Sequence, residues 1–329
     1  MSQSSEQATS ITYVNGKAIE SISVQDRALH YGDGFFTTIL VAGRFILNWS
    51  AHYRRLKQSA MRLQFLVLDE SQLLQQIAQA LTKFKAQTKS EHHATYVVKI
   101  LFSRGVSGRG YAILDSFYPV MLVQVSLAPL TVEMSTESVV SSEPQALKLN
   151  FPPPIALQIE CCQTQASIQA QLAGLKHLNR LDSVLARTEV AQKQHQEGLM
   201  LNALGDVIGG TQSNLFLLKD RTLITPILDL SGVEGTTRYQ LSQMVQALGF
   251  DWQERRVTLN ELYQADELFL SNAVRGIMPI RQLDQTPYAT TETLNIHQSW
   301  CQQQVKLAYT LFDHQSDSVI KRKRFNENN

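Results

Sequence analysis

One lysine in this sequence stands where an amine could carry chemistry. Lys176 lies in the run "GLKHLNRLD", just ahead of a segment with leucines at helical spacing. We predict a helix there that is capped by Asn179, with Asp182 completing a capping box. Its buried face is predicted to hold Leu178, Leu181 and Leu185. Burial of Lys176 beside the positive end of the helix dipole would favour the neutral amine that a Schiff base needs. The alternative is a surface lysine that only binds water.

Two further segments carry groups suited to a phosphate. "GTTR" places a glycine and two hydroxyls, at Gly235, Thr236 and Thr237, where a helix begins, and helix starts bind anions. "AHYRRL" offers Arg54 and Arg55, whose guanidinium groups suit bidentate binding of phosphate. Spacing alone does not choose between the two arginines. An ordinary capped helix and a solvated helix face remain the alternatives for these segments.

A glycine-rich segment, "SRGVSGRGY" at residues 103–111, predicts a loop that reaches over a site. Arg109 could pair with a substrate carboxylate, and Tyr111 could supply a hydroxyl. A surface turn is the alternative. The same ambiguity holds for "GDGFFTT", which reads as the entry of a strand and contains Thr38.

The elements that must position these groups fall into two regions. Hairpins, two amphipathic helices and two apolar strands predict an α+β domain at 11–150, preceded by a polar tail at 1–10. The prolines of "FPPPIAL" predict an interdomain linker at 151–157. A larger domain is predicted at 158–315, followed by a basic polar tail at 316–329.

Composition excludes several classes of protein. The 329 residues include 43% hydrophobic residues, which allow a substantial core, and the net charge of +1 gives no reason to expect nucleic acid or membrane partners. The three cysteines, Cys161, Cys162 and Cys301, fit neither a disulfide framework nor a zinc site. No apolar run is long enough to span a membrane, and the N-terminus lacks a signal peptide, so we expect a cytoplasmic protein without a metal.

Read together, these segments resemble the fold-type IV pyridoxal-phosphate enzymes, the class IV aminotransferase-like family. The resemblance rests on "QDRALHYGDGFFTT", "AHYRRL", "SRGVSGRGY", "GLKHLNRL", "SNLF", "GVEGTTR" and "LFLSNAVRGIMPI", in the family's order over residues 11–285. The lysine segment and the Asn-Ala pair at 272–273 are most similar to those of the lyases that act on 4-amino-4-deoxychorismate.

The resemblance implies a role for each matching residue. Lys176 would hold pyridoxal 5'-phosphate as a Schiff base and then act as the catalytic base. The phosphate would be bound by Arg55, Thr236 and Thr237, and the substrate by Arg109, Thr38 and Asn272. It also implies the two-domain fold of D-amino-acid aminotransferases, with a β-barrel-like core in the larger domain, and a homodimer.

The sequence departs from the family at Gly209. Family members usually carry a glutamate there, which faces the pyridine nitrogen of the cofactor and keeps the ring a strong electron sink. The loss favours a lyase, because aromatisation of the product ring assists that reaction. We therefore predict conversion of 4-amino-4-deoxychorismate to 4-aminobenzoate and pyruvate, a step of folate biosynthesis. The alternatives are a D-amino-acid or branched-chain aminotransferase and a catalytically degenerate binding protein of the same fold.

Overall fold

The computed structural model describes residues 10–18, 21–88, 94–108, 110–113, 117–136 and 147–311. In chain order its elements are β1 (Ser10–Val14), β2 (Lys17–Ala18), α1 (Arg27–Tyr31), β3 (Gly34–Ala42), β4 (Phe45–Ile46), α2 (Trp49–Arg62), α3 (Glu70–Thr88), β5 (Thr95–Ser103), β6 (Val120–Leu127), β7 (Glu133–Thr136), β8 (Leu147–Asn150), β9 (Leu157–Cys161), α4 (Leu181–Gln192), β10 (Gly198–Leu201), β11 (Val207–Gly210), β12 (Asn214–Lys219), β13 (Thr222–Pro226), α5 (Thr236–Met244), β14 (Asp251–Arg255), α6 (Leu259–Tyr263), β15 (Glu267–Asn272), β16 (Gly276–Leu283), β17 (Thr286–Pro287), α7 (Thr291–Lys306) and β18 (Tyr309–Thr310).

The chain divides into two compact units. Unit 1 comprises 1–152 and 304–329, and unit 2 comprises 153–303. The boundary between Pro152 and Pro153 falls inside the proline run of the sequence. The C-terminal part differs from the sequence expectation, which assigned residues up to 315 to the larger domain. Tyr309 and Thr310 instead pair with β4 of unit 1, where Leu311 adds to the apolar core.

Unit 1 is an α+β layer structure. Its sheet has the strand order β18-β4-β3-β5-β6-β1-β2 among the described residues, and α2 and α3 cover the sheet with apolar side chains. The predicted hairpin is present, because Asn15 and Gly16 both adopt the positive φ that a type I′ turn requires. The predicted tails at 1–10 and 316–329 lie outside the described residues, except for Ser10, which begins β1.

Unit 2 is built on a curled sheet with the order β11-β10-β9-β16-β15-β12-β13-β14, and β17 pairs with β16. The amide of Val207 in β11 donates to the carbonyl of Val257, just beyond β14, at 2.8 Å. This bond joins the two ends of the strand order, so the sheet encloses a barrel-like core of leucine, isoleucine and valine. The fold is therefore the α+β, two-domain arrangement expected from the sequence. None of the helices in the described ranges has the length and apolar character that a membrane crossing needs.

Candidate active site

In unit 2 the segment that carries Lys176 pairs with the loop in front of α5. Gly174 forms a parallel bridge with Val233, in which its amide donates to Gly232 at 3.0 Å and its carbonyl accepts from Glu234 at 2.9 Å. Lys176 follows two residues later and is half-buried. The lysine is therefore held on a fixed backbone next to the loop that leads into a helix start.

The helix after Lys176 differs from the prediction. It begins at Leu181, and its N-cap is Arg180, which makes no side-chain capping bond, so Asn179 is not the cap. Its buried face holds Ala186 and Val190, because these small side chains pack against β10. The predicted apolar face is instead exposed, at 76% for Leu181 and 60% for Leu185.

The start of α5 has the features of a phosphate site. Thr236 and Thr237 are both buried, and the N-cap residue Gly235 provides no side-chain bond to the first-turn amides. A Cβ on Gly235 would lie 2.0 Å from Oδ1 of Asn214, so a side chain at this position would displace Asn214 from its bond to Val233. Two hydroxyl residues and the amides of a helix start without a side-chain cap are a suitable donor set for a phosphate.

Two asparagines fix the shape of this region. The Asn214 side chain donates to the Val233 carbonyl at 2.8 Å, which ties the start of β12 to the loop that pairs with the Lys176 segment. At the end of β15, the Asn272 carbonyl accepts from the Thr237 hydroxyl at 3.1 Å. The Oδ1 atom of Asn272 accepts from the amides of Val274 and Arg275, so this oxygen shapes its own turn. Any substrate contact by Asn272 must come from its amide nitrogen.

Gly209 lies in this region with a φ of +155°, and a Cβ there would be 2.8 Å from the Ser213 carbonyl oxygen. The backbone therefore disfavours any side chain at this position. A buried carboxylate that the sequence did not reveal lies nearby. Glu197 accepts hydrogen bonds from the Gly198 and Thr211 amides and from the Thr211 and Ser213 hydroxyls. Its oxygens are engaged in bracing the turn that follows Gly209.

His177, the neighbour of Lys176, is a buried neutral imidazole. Burial, assisted by the Arg180 guanidinium, lowers the pKa of His177 to about 4. Arg180 Nη2 lies 2.7 Å from His177 Nε2, which must accept the bond because a guanidinium only donates. The ring proton therefore sits on Nδ1, which has no hydrogen-bond partner among the described residues. Near neutral pH this histidine adds no positive charge next to the lysine.

The cysteines supply no nucleophile in unit 2. Burial, followed by the nearby Glu189, raises the pKa of Cys162 to about 12, and burial raises that of Cys161. Burial also raises the pKa of Cys301 to about 12. All three thiols are therefore mainly protonated near neutral pH, which disfavours thiolate chemistry.

In unit 1 the structure distinguishes Arg55 from its neighbours. Arg55 is buried on α2 and donates to the Thr37 hydroxyl, while Arg54 is half-buried and Lys57 is exposed. The Thr37 hydroxyl is also 2.8 Å from Nδ1 of the buried His52. A hydroxyl and an imidazole thus hold the orientation of the guanidinium, a pair that spacing in the sequence did not reveal.

Thr38 and Arg55 lie on opposite faces of the sheet of unit 1. Side chains alternate along a strand, and Thr37 faces α2, so Thr38 faces away from it. Directly across from Thr38 on β5 is Lys99, whose ammonium lies 5.0 Å from the centre of the Phe36 ring. This face therefore carries a cation that the sequence interpretation did not single out.

The glycine-rich loop is described in part. Arg109 lies outside the described residues, whereas Tyr111 is 84% exposed and its ring lies 5.2 Å from that of Tyr31. Arg27 and Asp33, which sit in the "QDRALHYGDG" segment, hold the base of this loop. The sequence analysis did not single out this ion pair, although an arginine and an aspartate six residues apart could have indicated it.

Known proteins are similar to this chain over most of its length. The sequence model of the family described as "Amino-transferase class IV" matches residues 34–283. The aminodeoxychorismate lyase of Vibrio harveyi is 31% identical over 268 residues, which cover 82% of this chain and 89% of the relative. The branched-chain-amino-acid aminotransferase of Escherichia coli K12 is 26% identical, covering 83% and 84%.

A solved structure extends the similarity to the fold. The crystal structure of 4-amino-4-deoxychorismate lyase from Pseudomonas aeruginosa superimposes with a TM-score of 0.73 at 32% sequence identity. The match covers 89% of this chain and 98% of that chain.

Proposed function

The chain belongs to the class IV aminotransferase family, and we propose that it acts within that family as a lyase converting 4-amino-4-deoxychorismate to 4-aminobenzoate and pyruvate. The observation that carries the proposal is the pairing of the Lys176 segment with the loop in front of α5. This pairing brings the backbone of the Lys176 segment next to the loop that enters α5, a helix start suited to phosphate. The two lyase relatives, at 31% and 32% identity, support this substrate over an amino acid.

Pyridoxal 5'-phosphate is the cofactor of this enzyme family, and the residues of unit 2 fit it. Lys176 offers the amine, while Thr236 and the first-turn amides of α5, including the amide of Thr237, offer donors to the phosphate. From unit 1 we propose Arg55 as the phosphate cation, since its guanidinium is already oriented by Thr37. When bound, the cofactor supplies an electron sink for charge that develops on the substrate carbon.

The proposed reaction needs two proton movements, and Lys176 is the group we assign to them. Its neutral amine removes the proton from the ring carbon that bears the substrate amine. The carbon–oxygen bond to the enolpyruvyl group then breaks, and the ring becomes aromatic. Protonation of the departing enolate at its methylene carbon, by the ammonium form of Lys176, completes pyruvate.

The substrate has two carboxylates, which need cationic partners. We propose Arg109 as one of them and the amide of Asn272 and the hydroxyl of Thr38 as hydrogen-bonding groups. Lys99 lies across from Thr38 and adds positive charge to the same face of unit 1.

Gly209 supports lyase over transamination. Transamination must stabilise a carbanion without the gain in aromaticity, so it depends more on a carboxylate at the pyridine nitrogen. Glu197 is the buried carboxylate of that region, and its oxygens are bonded to the turn at 211–213. Two branched-chain aminotransferase relatives, each 26% identical, keep transamination of branched-chain amino acids as the second candidate function, and D-amino acids stay an alternative from the sequence resemblance.

We further propose a homodimer in the cytoplasm that serves folate synthesis. The dimer is supported by the exposed leucines of α4, since apolar side chains on one helix face commonly mark an interface. The location is supported by three unpaired cysteines.

The test is to incubate the purified protein with enzymatically generated aminodeoxychorismate, add no amino acceptor, and measure 4-aminobenzoate and pyruvate together. Equal amounts of both products are expected, and Lys176→Ala should form neither. Lys193→Ala, which removes an exposed lysine paired with Glu160, is the matched control and should keep wild-type turnover. A cofactor-loaded protein that forms neither product would refute the lyase, and an acceptor screen would then test for transamination.

A further inference from the structure

Arg27 is a buried arginine that the proposed reaction does not use. Its Nη1 donates to the carbonyls of Gly110, at 3.0 Å, and Ala112, at 3.4 Å, and its Nη2 donates to that of Tyr111, at 3.0 Å. Its Nε donates to Asp33 at 2.8 Å. One side chain therefore binds three consecutive carbonyls more than 80 residues away in the chain.

This arrangement needs both a guanidinium and a glycine. Three successive carbonyls can converge on one cation only if the chain turns, and Gly110 has a φ of +77°. A Cβ on Gly110 would meet nothing within 4 Å, so the backbone conformation alone calls for glycine there. A lysine would keep the charge at position 27, but its single ammonium cannot reproduce the planar fork.

A second arginine binds the same carboxylate. Arg104 donates from Nε to Asp33 Oδ2 at 2.8 Å, and from its other nitrogens to the Leu63 and Gln64 carbonyls. It is as buried as Arg27, but none of these bonds reaches residues 110–112. Asp33 therefore links Arg27, which binds the loop, to Arg104, which binds the end of α2.

Arg27 also orders the exposed tyrosine of the loop. Its Cζ lies 5.0 Å from the centre of the Tyr31 ring, and the Tyr31 ring lies 5.2 Å from that of Tyr111. The cation thus fixes the Tyr111 backbone directly and its ring through one intermediate.

We propose that Arg27 is a positioning residue for substrate binding, and that it sets where the loop presents Tyr111. The inference rests on the proposed function, in which this loop meets the substrate. It assigns Arg27 no contact with the substrate.

The experiment compares Arg27→Lys with the matched variant Arg104→Lys, both loaded with cofactor. For Arg27→Lys we expect kcat/KM for aminodeoxychorismate to fall about a hundredfold, mainly through KM, because small displacements of binding groups have effects of this size. Cofactor affinity should stay within twofold of wild type. Arg104→Lys should lose thermal stability while its KM stays within twofold of wild type.

A second readout does not depend on turnover. Trypsin cleaves after arginine, and Arg109 precedes Gly110 in the sequence. Loss of the carbonyl bonds should speed cleavage of the Arg109–Gly110 bond at least about tenfold in Arg27→Lys, measured by mass spectrometry, but not in Arg104→Lys.

The outcomes separate the two proposals. A wild-type protein without turnover overturns the proposed function, and the trypsin rates then decide the role of Arg27 alone. Unchanged KM and cleavage in Arg27→Lys, or equal changes in both variants, would overturn the inference. If Arg27→Lys does not fold, Gly110→Ala disturbs the same turn with Arg27 in place, and the same increases in KM and cleavage are expected.

Discussion

Glu197→Gln is the most informative perturbation of unit 2. Glu197 braces the turn at 211–213, and the next residue, Asn214, donates to Val233 in the loop in front of α5. The carboxylate is 3% exposed, and it accepts from Gly198 N at 3.1 Å, Thr211 N at 3.0 Å, Ser213 Oγ at 3.0 Å and the Thr211 hydroxyl. A glutamine keeps three of these bonds on one oxygen and can donate to Ser213 from its nitrogen. The shape of the turn is retained while the charge is removed.

The expected loss of unfolding free energy in Glu197→Gln follows from the number of hydrogen bonds that are weakened. A hydrogen bond to a charged group contributes about 1 kcal/mol more than one between neutral groups, so weakening three bonds costs about 3 kcal/mol of unfolding free energy. Stabilities of about 5–15 kcal/mol leave the variant folded. We also expect cofactor binding to weaken about tenfold, or about 1.4 kcal/mol, because the turn at 211–213 positions Asn214 against Val233.

Glu267→Gln provides a matched control. Glu267 is 5% exposed and accepts from the amides of Glu292 and Thr293 and from the Thr293 hydroxyl at the start of α7. Its replacement should cost about 4 kcal/mol, because two charged bonds weaken by about 1 kcal/mol each and one worth about 2 kcal/mol is lost. Cofactor affinity should stay at the wild-type value.

The assay is urea unfolding of both cofactor-free variants, followed by titration with pyridoxal 5'-phosphate. A loss of stability in both variants, with weaker cofactor binding only in Glu197→Gln, would support the role of the turn. Equal cofactor affinities in the two variants would refute it, because the charge at Glu197 would then act on stability alone.

Three further predictions follow from unit 2. Gly235→Ala should weaken cofactor binding at least about tenfold in the same titration, because its Cβ would lie 2.0 Å from Asn214 Oδ1. The control is Gly205→Ala, where a Cβ meets nothing within 4 Å and only the backbone is strained. His177 has a folded-state pKa of about 4, below the unfolded value of about 6.5, so its contribution is present above about pH 6.5 and is lost as pH falls to about 4. His177→Asn should therefore flatten the acid side of the stability curve by at most about 3 kcal/mol, and an unchanged slope in urea unfolding would contradict this assignment. Leu185→Glu should convert the proposed dimer to a monomer, as measured by light scattering. The control Val67→Glu, at a position that is 99% exposed, should leave the dimer intact. A dimer that persists in Leu185→Glu would exclude α4 from the interface.

Local signals in the sequence predicted most of the elements. Asn15 and Gly16 gave the hairpin because only their positive φ values close a two-residue turn. Helix α5 begins at Thr236, as "GTTR" indicated, and Gly249 ends the helical region in a left-handed conformation. The family resemblance, rather than spacing, selected Lys176 and Arg55.

Features that depend on distant contacts were missed. The leucines of α4 have helical spacing, but spacing does not reveal which face a sheet will cover, and β10 packs against Ala186 and Val190. Glu197 is one glutamate among many until folding brings Thr211 and Ser213 to it. Arg27 gains its role only because residues 110–112 return to it across the unit.

The return of the C-terminal strand to unit 1 has a consequence for the order in which the protein is made. Unit 2 interrupts unit 1, so the ribosome completes all of 153–303 before the residues that pair with β4 are synthesised. Until then the β4 edge and the apolar surface that Leu311 covers stay open. Purified chains truncated before residue 304 should therefore contain a protease-resistant unit 2 and a first unit that protease digests more readily.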